Sequence, residues 1–155
     1  MKIVFWAGFW TFLIDQLSKY WIVHGLDLIN RGVIEVAPPF LTLRMAWNTG
    51  INFGLFSDGT SDSRWLLIGL ALVISVAVLI WVHRERPHRG GLIAAGLLVG
   101  GALGNVVDRV IYGAVADFLN MSCCGIDNPF AFNVADVAIF VGAAGLILLP
   151  AEKGA

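Results

Sequence analysis

Apolar residues run along this chain in four blocks, at about 3–23, 65–82, 92–112 and 130–149, with polar, proline-rich or arginine-rich segments between them. An α-helix needs about 20 predominantly apolar residues to cross a hydrocarbon core, so each block predicts one crossing. The second is the cleanest, with no ionisable residue between Trp65 and Val82. The third is rich in Gly and Ala, residues that let helices approach closely in lipid, which predicts a central position. Lys2 ahead of the first block imitates the start of a cleaved signal peptide. Asp15 and Lys19 occupy the place of a small-residue cleavage site, so that helix is expected to stay. The pattern predicts one membrane domain over 1–155, all-α in class and built as a four-transmembrane-helix bundle.

The connections carry their own signals. Residues 33–36 and 40–45 flank Pro38-Pro39 and read as two short strands, which places a small β-sheet in the connection at about 25–64. The connection at 83–89 holds Arg84, Arg86 and Arg89, and basic residues favour the cytoplasmic side. With Lys2 and Lys153 they predict that both termini are cytoplasmic. The segments at 25–64 and 113–125 then face outward, and the sheet is extracytoplasmic.

Composition changes the picture in three ways. Hydrophobic residues make up 58% of the 155 and charged residues 14%, with a mean hydropathy of +0.81, which points to lipid as the solvent. A formal net charge of −1 without a long basic run offers no footprint for nucleic acid. The two cysteines, Cys123 and Cys124, are adjacent, lack the further Cys or His of a zinc site, and are poorly placed to bridge each other. They are expected to be small apolar loop residues, and no metal or cofactor is expected.

Orientation turns scattered polar residues into a cluster. Asp15 and Lys19 fall in the outer half of the first helix, Asn105, Asp108 and Arg109 at the outer end of the third, and Asp117 just beyond. Asn133 and Asp136 open the fourth at the same level. Ionisable groups in a membrane are costly and usually pair or line a cavity, so a site near the outer interface is expected. Each residue also has a plainer reading. Asp15 and Lys19 have the i, i+4 spacing of an intrahelical ion pair. Arg109 has the position of a snorkelling anchor, Asn133 and Asp136 have the spacing of a helix cap, and Asp117 reads as a solvated loop aspartate. Two carboxylates without metal ligands suit acid–base hydrolysis, because close neighbours do not readily both ionise and one keeps its proton. No Gly-x-Ser-x-Gly elbow is present, and the outer ends of the third and fourth helices lack a His, so a serine or cysteine mechanism lacks parts.

At these positions the chain resembles the lipoprotein signal peptidase (signal peptidase II) family, in four blocks that occur in order. They are Asp15-Gln16-Leu17-Ser18-Lys19, Asn48-Thr49-Gly50-Ile51-Asn52-Phe53-Gly54, Gly104-Asn105-Val106-Val107-Asp108-Arg109 with Gly113-Ala114-Val115-Ala116-Asp117-Phe118, and Phe132-Asn133-Val134-Ala135-Asp136. The resemblance implies a catalytic dyad of Asp117 and Asp136. Asp15, Lys19, Asn48, Gly50, Asn105, Asp108, Arg109 and Asn133 would then organise site and substrate. It implies an outer β-cradle over four helices in a bacterial cytoplasmic (inner) membrane. The implied reaction is aspartyl endopeptidase cleavage N-terminal to a lipid-modified Cys in diacylglyceryl-bearing prolipoproteins, with globomycin-like lipopeptides as inhibitors. Asn52 departs from the pattern, where a small apolar residue is more usual. The competing classes are a small proton-coupled transporter, which expects charges near the midplane rather than at one face, and an anchoring protein, in which paired aspartates at helix ends are mere structure.

Overall fold

The computed structural model describes residues 1–50, 61–125 and 128–149. Part of the second block, from Ile51 to Gly54 and including Asn52, lies outside the described residues, as does Lys153. The chain runs α1 (Lys2–Tyr20), a wider π-helical turn (Trp21–Gly25), α2 (Leu28–Arg31), β1 (Val33–Ala37), β2 (Leu41–Asn48), α3 (Ser61–Glu85), α4 (Arg89–Tyr112), β3 (Val115–Asn120) and α5 (Val134–Leu148). It is mostly helical, with one three-stranded antiparallel sheet in the order β1-β2-β3.

Two helices are long and apolar enough to cross a bilayer by length and composition, Ser63–Glu85 and Arg89–Tyr112, and α5 is a shorter apolar helix. Their exposure differs as their composition predicts. Most of α3 faces outward, with Leu66, Val73, Val76 and Ile80 exposed, whereas α4 is buried among α1, α3 and α5. Small residues on α4 and on the helices against it make that position possible: a Cβ at Gly100 of α4 would collide with the backbone of Gly8 on α1, and one at Gly142 of α5 would sit 2.6 Å from the Leu98 nitrogen of α4. Close backbone approach replaces the hydrophobic drive that helices lack in lipid.

The sheet caps the end of the bundle where α1 finishes. Leu28, Leu43 and Phe118 form a buried cluster beneath it, joined by Ile22, Leu26 and Met45, so the π-turn and α2 pin the sheet to α1. The two expected strands are present, and a third was missed. β3 pairs with β2 in the register Ala46↔Asp117 and Asn48↔Val115. Asp117, read as a loop residue, is thus a strand residue. The fourth helix starts at Val134 rather than at 130, because Phe132 is still extended and bridges Leu119, and Asn133 caps the helix in a β conformation. Cys123 and Cys124 also depart from expectation, since they are joined by a disulfide. Cys124 takes a left-handed backbone (φ 60), which bends the chain sharply at this pair.

Candidate functional site

The order α4–β3–α5 brings three polar segments to one place. Asp108 and Asn105 stand in the last turns of α4, Asp117 follows on β3, and Asn133 and Asp136 open α5. β2 lies against β3 and delivers Asn48, while α1 delivers Asp15 and Lys19 from the opposite side.

Asp117 is 2% exposed on a strand buried along most of its length. Both its oxygens accept from side-chain amides: Asn133 Nδ2 donates to Oδ1 at 2.6 Å and Asn48 Nδ2 to Oδ2 at 3.0 Å. Asp136 is held as fully. Asn105 Nδ2 donates to its Oδ1 at 3.0 Å and the Asn133 backbone N–H to its Oδ2 at 3.2 Å, while the Asp136 N–H donates to Asn133 Oδ1 at 2.9 Å. That reciprocal pair is a capping box, so the plainer reading of these two residues is correct as far as it goes. The box also makes Asn133 the common neighbour of both carboxylates, through its side chain to Asp117 and its backbone to Asp136.

Behind these groups lies a buried charge cluster. Lys19 Nζ is 2.8 Å from Asp15 Oδ2 and 2.7 Å from Asp108 Oδ2, so the i, i+4 pair is real but extends to a third partner on α4. Lys19 also donates to Asn105 Oδ1 at 3.1 Å. An ammonium has only donors, so this contact dictates which way the Asn105 amide points and turns its Nδ2 toward Asp136. Asp15 Oδ1 accepts from the Ala135 N–H at 2.9 Å, satisfying a free donor of the first turn of α5 from a different helix. Asp108 Oδ2 accepts from the Ala116 N–H at 3.3 Å, which ties α4 to β3 next to Asp117. Gln16 was not given a role from sequence; its Nε2 donates to Asp15, Asp108 and the Gly104 carbonyl. Its signal was a polar side chain one residue from a buried aspartate.

Arg109 turns its guanidinium onto the protein backbone. Its Nη2 donates to the Gly50 carbonyl at 2.9 Å and its Nη1 to the Asn105 carbonyl at 3.4 Å, while Nε has no partner among the described residues. The Gly50 N–H donates to Asn48 Oδ1 at 3.1 Å, so Arg109 steadies the turn that carries Asn48. All ten residues singled out from sequence therefore belong to one hydrogen-bonded network.

The surroundings of Asp117 change its acidity, and its pKa is pushed up to about 7. Burial is the main cause and the nearby Asp136 charge adds to it; the Asn48 and Asn133 hydrogen bonds and the Lys19 charge pull the other way. Asp136 also lines a groove of about 430 Å³, with Asn48, Asn105 and Arg109 at its polar end. Leu67, Leu70, Ile74, Leu98 and Ile139 continue it as an apolar wall between α3, α4 and α5.

Paired carboxylates clasped by amides thus stand at the head of a bundle of apolar helices, two of them long enough to cross a bilayer. Comparison with known proteins gives the family. The sequence profile of the family described as signal peptidase (SPase) II matches residues 8–150. A lipoprotein signal peptidase of Rhodopseudomonas palustris is 42% identical over 155 residues, covering 95% of this chain and 93% of its own length. One of Methylorubrum extorquens is 41% identical, covering 89% and 79%. Two solved structures described as bacterial membrane enzymes superpose with a TM-score of 0.81 each, at 27% and 26% identity. They cover 96% and 99% of this chain, and 87% and 96% of their own. The chain belongs to the signal peptidase II family, and is a peptidase.

Proposed function

We propose that this chain is an intramembrane aspartyl endopeptidase that removes signal peptides from diacylglyceryl-modified prolipoproteins, cleaving N-terminal to the lipid-modified Cys. The observation that carries this reading is the pair Asp117 and Asp136, joined through Asn133, with Asp117 able to hold a proton near neutral pH. Asp136, in the first turn of α5, lies where the helix dipole favours negative charge, which makes it the base and Asp117 the acid. Asp136 takes a proton from water as its oxygen attacks the scissile carbonyl carbon, and Asp117 gives its proton to the carbonyl oxygen. Collapse of the tetrahedral intermediate returns that proton to Asp117, while Asp136 passes the other to the leaving amine. The apolar groove below Asp136 suits a signal-peptide helix and acyl chains.

The arginine-bearing connection at 83–89 supports four crossings of a bacterial cytoplasmic membrane, with both termini inside and the site near the outer face. Acyl chains on the substrate Cys would then stay in hydrocarbon and hold the scissile bond at the depth of the dyad. Each buried methylene contributes about 0.8 kcal/mol, ample for positioning. A globomycin-like lipopeptide is expected to compete for the same groove.

The test is the initial rate of signal-peptide release by the detergent-purified protein, from one precursor with and without its diacylglyceryl group. Lipidated precursor is expected to be cut and unmodified precursor to be poor. Asp117→Asn and Asp136→Asn are each expected to abolish most turnover, with the double variant little worse than either. Near-normal cleavage by either single variant removes that residue from the mechanism, and equal rates on both precursors remove the lipid from recognition.

A further inference from the structure

The end of the bundle opposite the aspartates carries two adjoining hollows that the peptidase reading does not use. One is an apolar groove of about 460 Å³ between α1, α3 and α4, walled by Val4, Phe5, Phe9, Phe12, Leu79 and Val99. Its volume falls within the roughly 300–1,000 Å³ of ligand-sized pockets. The other, of about 450 Å³, lies at the α3–α4 connection, with Val82, Pro87 and Leu92 as an apolar floor and His83 and Arg86 on its rim. Met1 lines both, so the hollows adjoin at the start of α1, with Val4, Leu79, Val82 and Leu92 packed in one apolar cluster beside them.

Arg86 is the unusual residue here. It ends α3 with a left-handed backbone (φ 47), its N–H donating to the Val82 carbonyl at 3.0 Å. Glycine or asparagine usually fills such a position, because any larger side chain is strained there. This chain keeps an arginine, exposed and without a carboxylate partner among the described residues. Around it, Lys2, Arg84 and Arg89 outnumber the single carboxylate of Glu85 among the described residues.

We infer that this composite hollow binds an anionic glycerophospholipid, its phosphate at Arg86 and His83 and one acyl chain in the groove along α1. Charge complementarity selects the headgroup, since basic clusters at the cytoplasmic ends of membrane helices attract anionic lipid. The apolar groove adjoining the basic rim at Met1 selects a lipid over a free anion. The site rests on the proposed orientation, with the 83–89 connection on the cytoplasmic side of a bilayer, and it is separate from peptide cleavage.

Native mass spectrometry of the full chain in zwitterionic detergent tests it by counting retained phosphatidylglycerol against phosphatidylcholine of the same acyl chains, with inorganic phosphate as competitor. Phosphatidylglycerol is expected to be retained preferentially. Arg86→Gly, which suits the left-handed backbone and removes only the side chain, is expected to weaken that retention about fivefold without lowering thermal stability in lipid-free detergent. Leu79→Trp, which narrows the groove, is expected to weaken both lipids. Equal retention of the two lipids, or unchanged retention by Arg86→Gly, overturns the headgroup contact. Displacement by an equimolar amount of phosphate reduces the site to an anion site and overturns the lipid.

Discussion

Removing the amide of Asn48 is expected to move the alkaline limit of activity upward, an outcome with a sign and a size. Asn48 Nδ2 donates to Asp117 Oδ2 at 3.0 Å, a contact that favours the ionised carboxylate and so holds the Asp117 pKa below where burial alone would put it. A hydrogen bond to a charged group contributes about 1.5–3 kcal/mol, and one pH unit corresponds to about 1.36 kcal/mol. The protonated acid also accepts, more weakly, so the difference comes to about one unit. Asn48→Ala should thus raise the pKa from about 7 to roughly 8. If Asp117 must be protonated to act, the wild-type rate at pH 8 is about a tenth of that at pH 6, and the variant's is about half. The assay is the initial rate of signal-peptide release between pH 5 and 9. Its informative quantity is the ratio of rates at pH 8 and pH 6, because any uniform loss from poorer positioning cancels. A ratio that stays the same or falls refutes the acid role of Asp117.

Three further substitutions probe the surroundings. Lys19→Met leaves Asp15 and Asp108, which are 0% and 2% exposed, without their shared cation; breaking a buried pair costs about 3–5 kcal/mol. The thermal midpoint in detergent should fall by roughly 6–20 °C, and a change under about 2 °C would mean the carboxylates are not charged in the fold. Arg109→Lys keeps the charge but cannot span the Gly50 and Asn105 carbonyls as a planar fork, so turnover should drop about tenfold or more; free exchange would mean charge suffices. Gly104→Ala would place a Cβ 2.5 Å from Asp15 Oδ2 and should destabilise by about 1–3 kcal/mol, whereas Gly69→Ala, which meets nothing within 4 Å, should be neutral or mildly stabilising; equal midpoints would mean Asp15 can yield.

The helices were legible because their signal is local. Apolar length survives in the sequence whatever the partners, and the Gly and Ala content of the third block correctly marked α4 as central. The errors fall where tertiary pairing overrides composition. β3 reads Val-Ala-Asp-Phe-Leu-Asn, and it is buried on both faces, so the alternation that betrays a half-exposed strand is missing and an aspartate stands in the middle. The start of α5 was placed too early because Phe130 and Phe132 extend the apolar run, although Phe132 pairs with Leu119. The site residues were legible as a group, since charge in an apolar span is costly and needs a reason. Their pairings were not. That Asn48 faces Asp117 follows from a strand register, and that Lys19 orients Asn105 follows from the packing of α1 on α4, neither of which has a signature in residue spacing. The assignment of Asp117 and Asp136 to one dyad came from the family resemblance.

The pairings also show why amides, rather than cations, touch the two carboxylates. A Lys or Arg in direct contact would pull a neighbouring aspartate's pKa down and hold it ionised at neutral pH. Here the two cations of the site are each one step removed. Lys19 reaches Asp136 only through the Asn105 amide, and the Arg109 hydrogen bonds go to the carbonyls of Gly50 and Asn105. The amides of Asn48, Asn105 and Asn133 supply donors that fix both carboxylates in place, while adding no net charge. Burial and mutual repulsion can then outweigh those hydrogen bonds at Asp117 and carry its pKa to about 7. On the proposed mechanism the acid needs a proton to give, and replacing Asn48 or Asn133 by a cation would secure the geometry while taking that proton away.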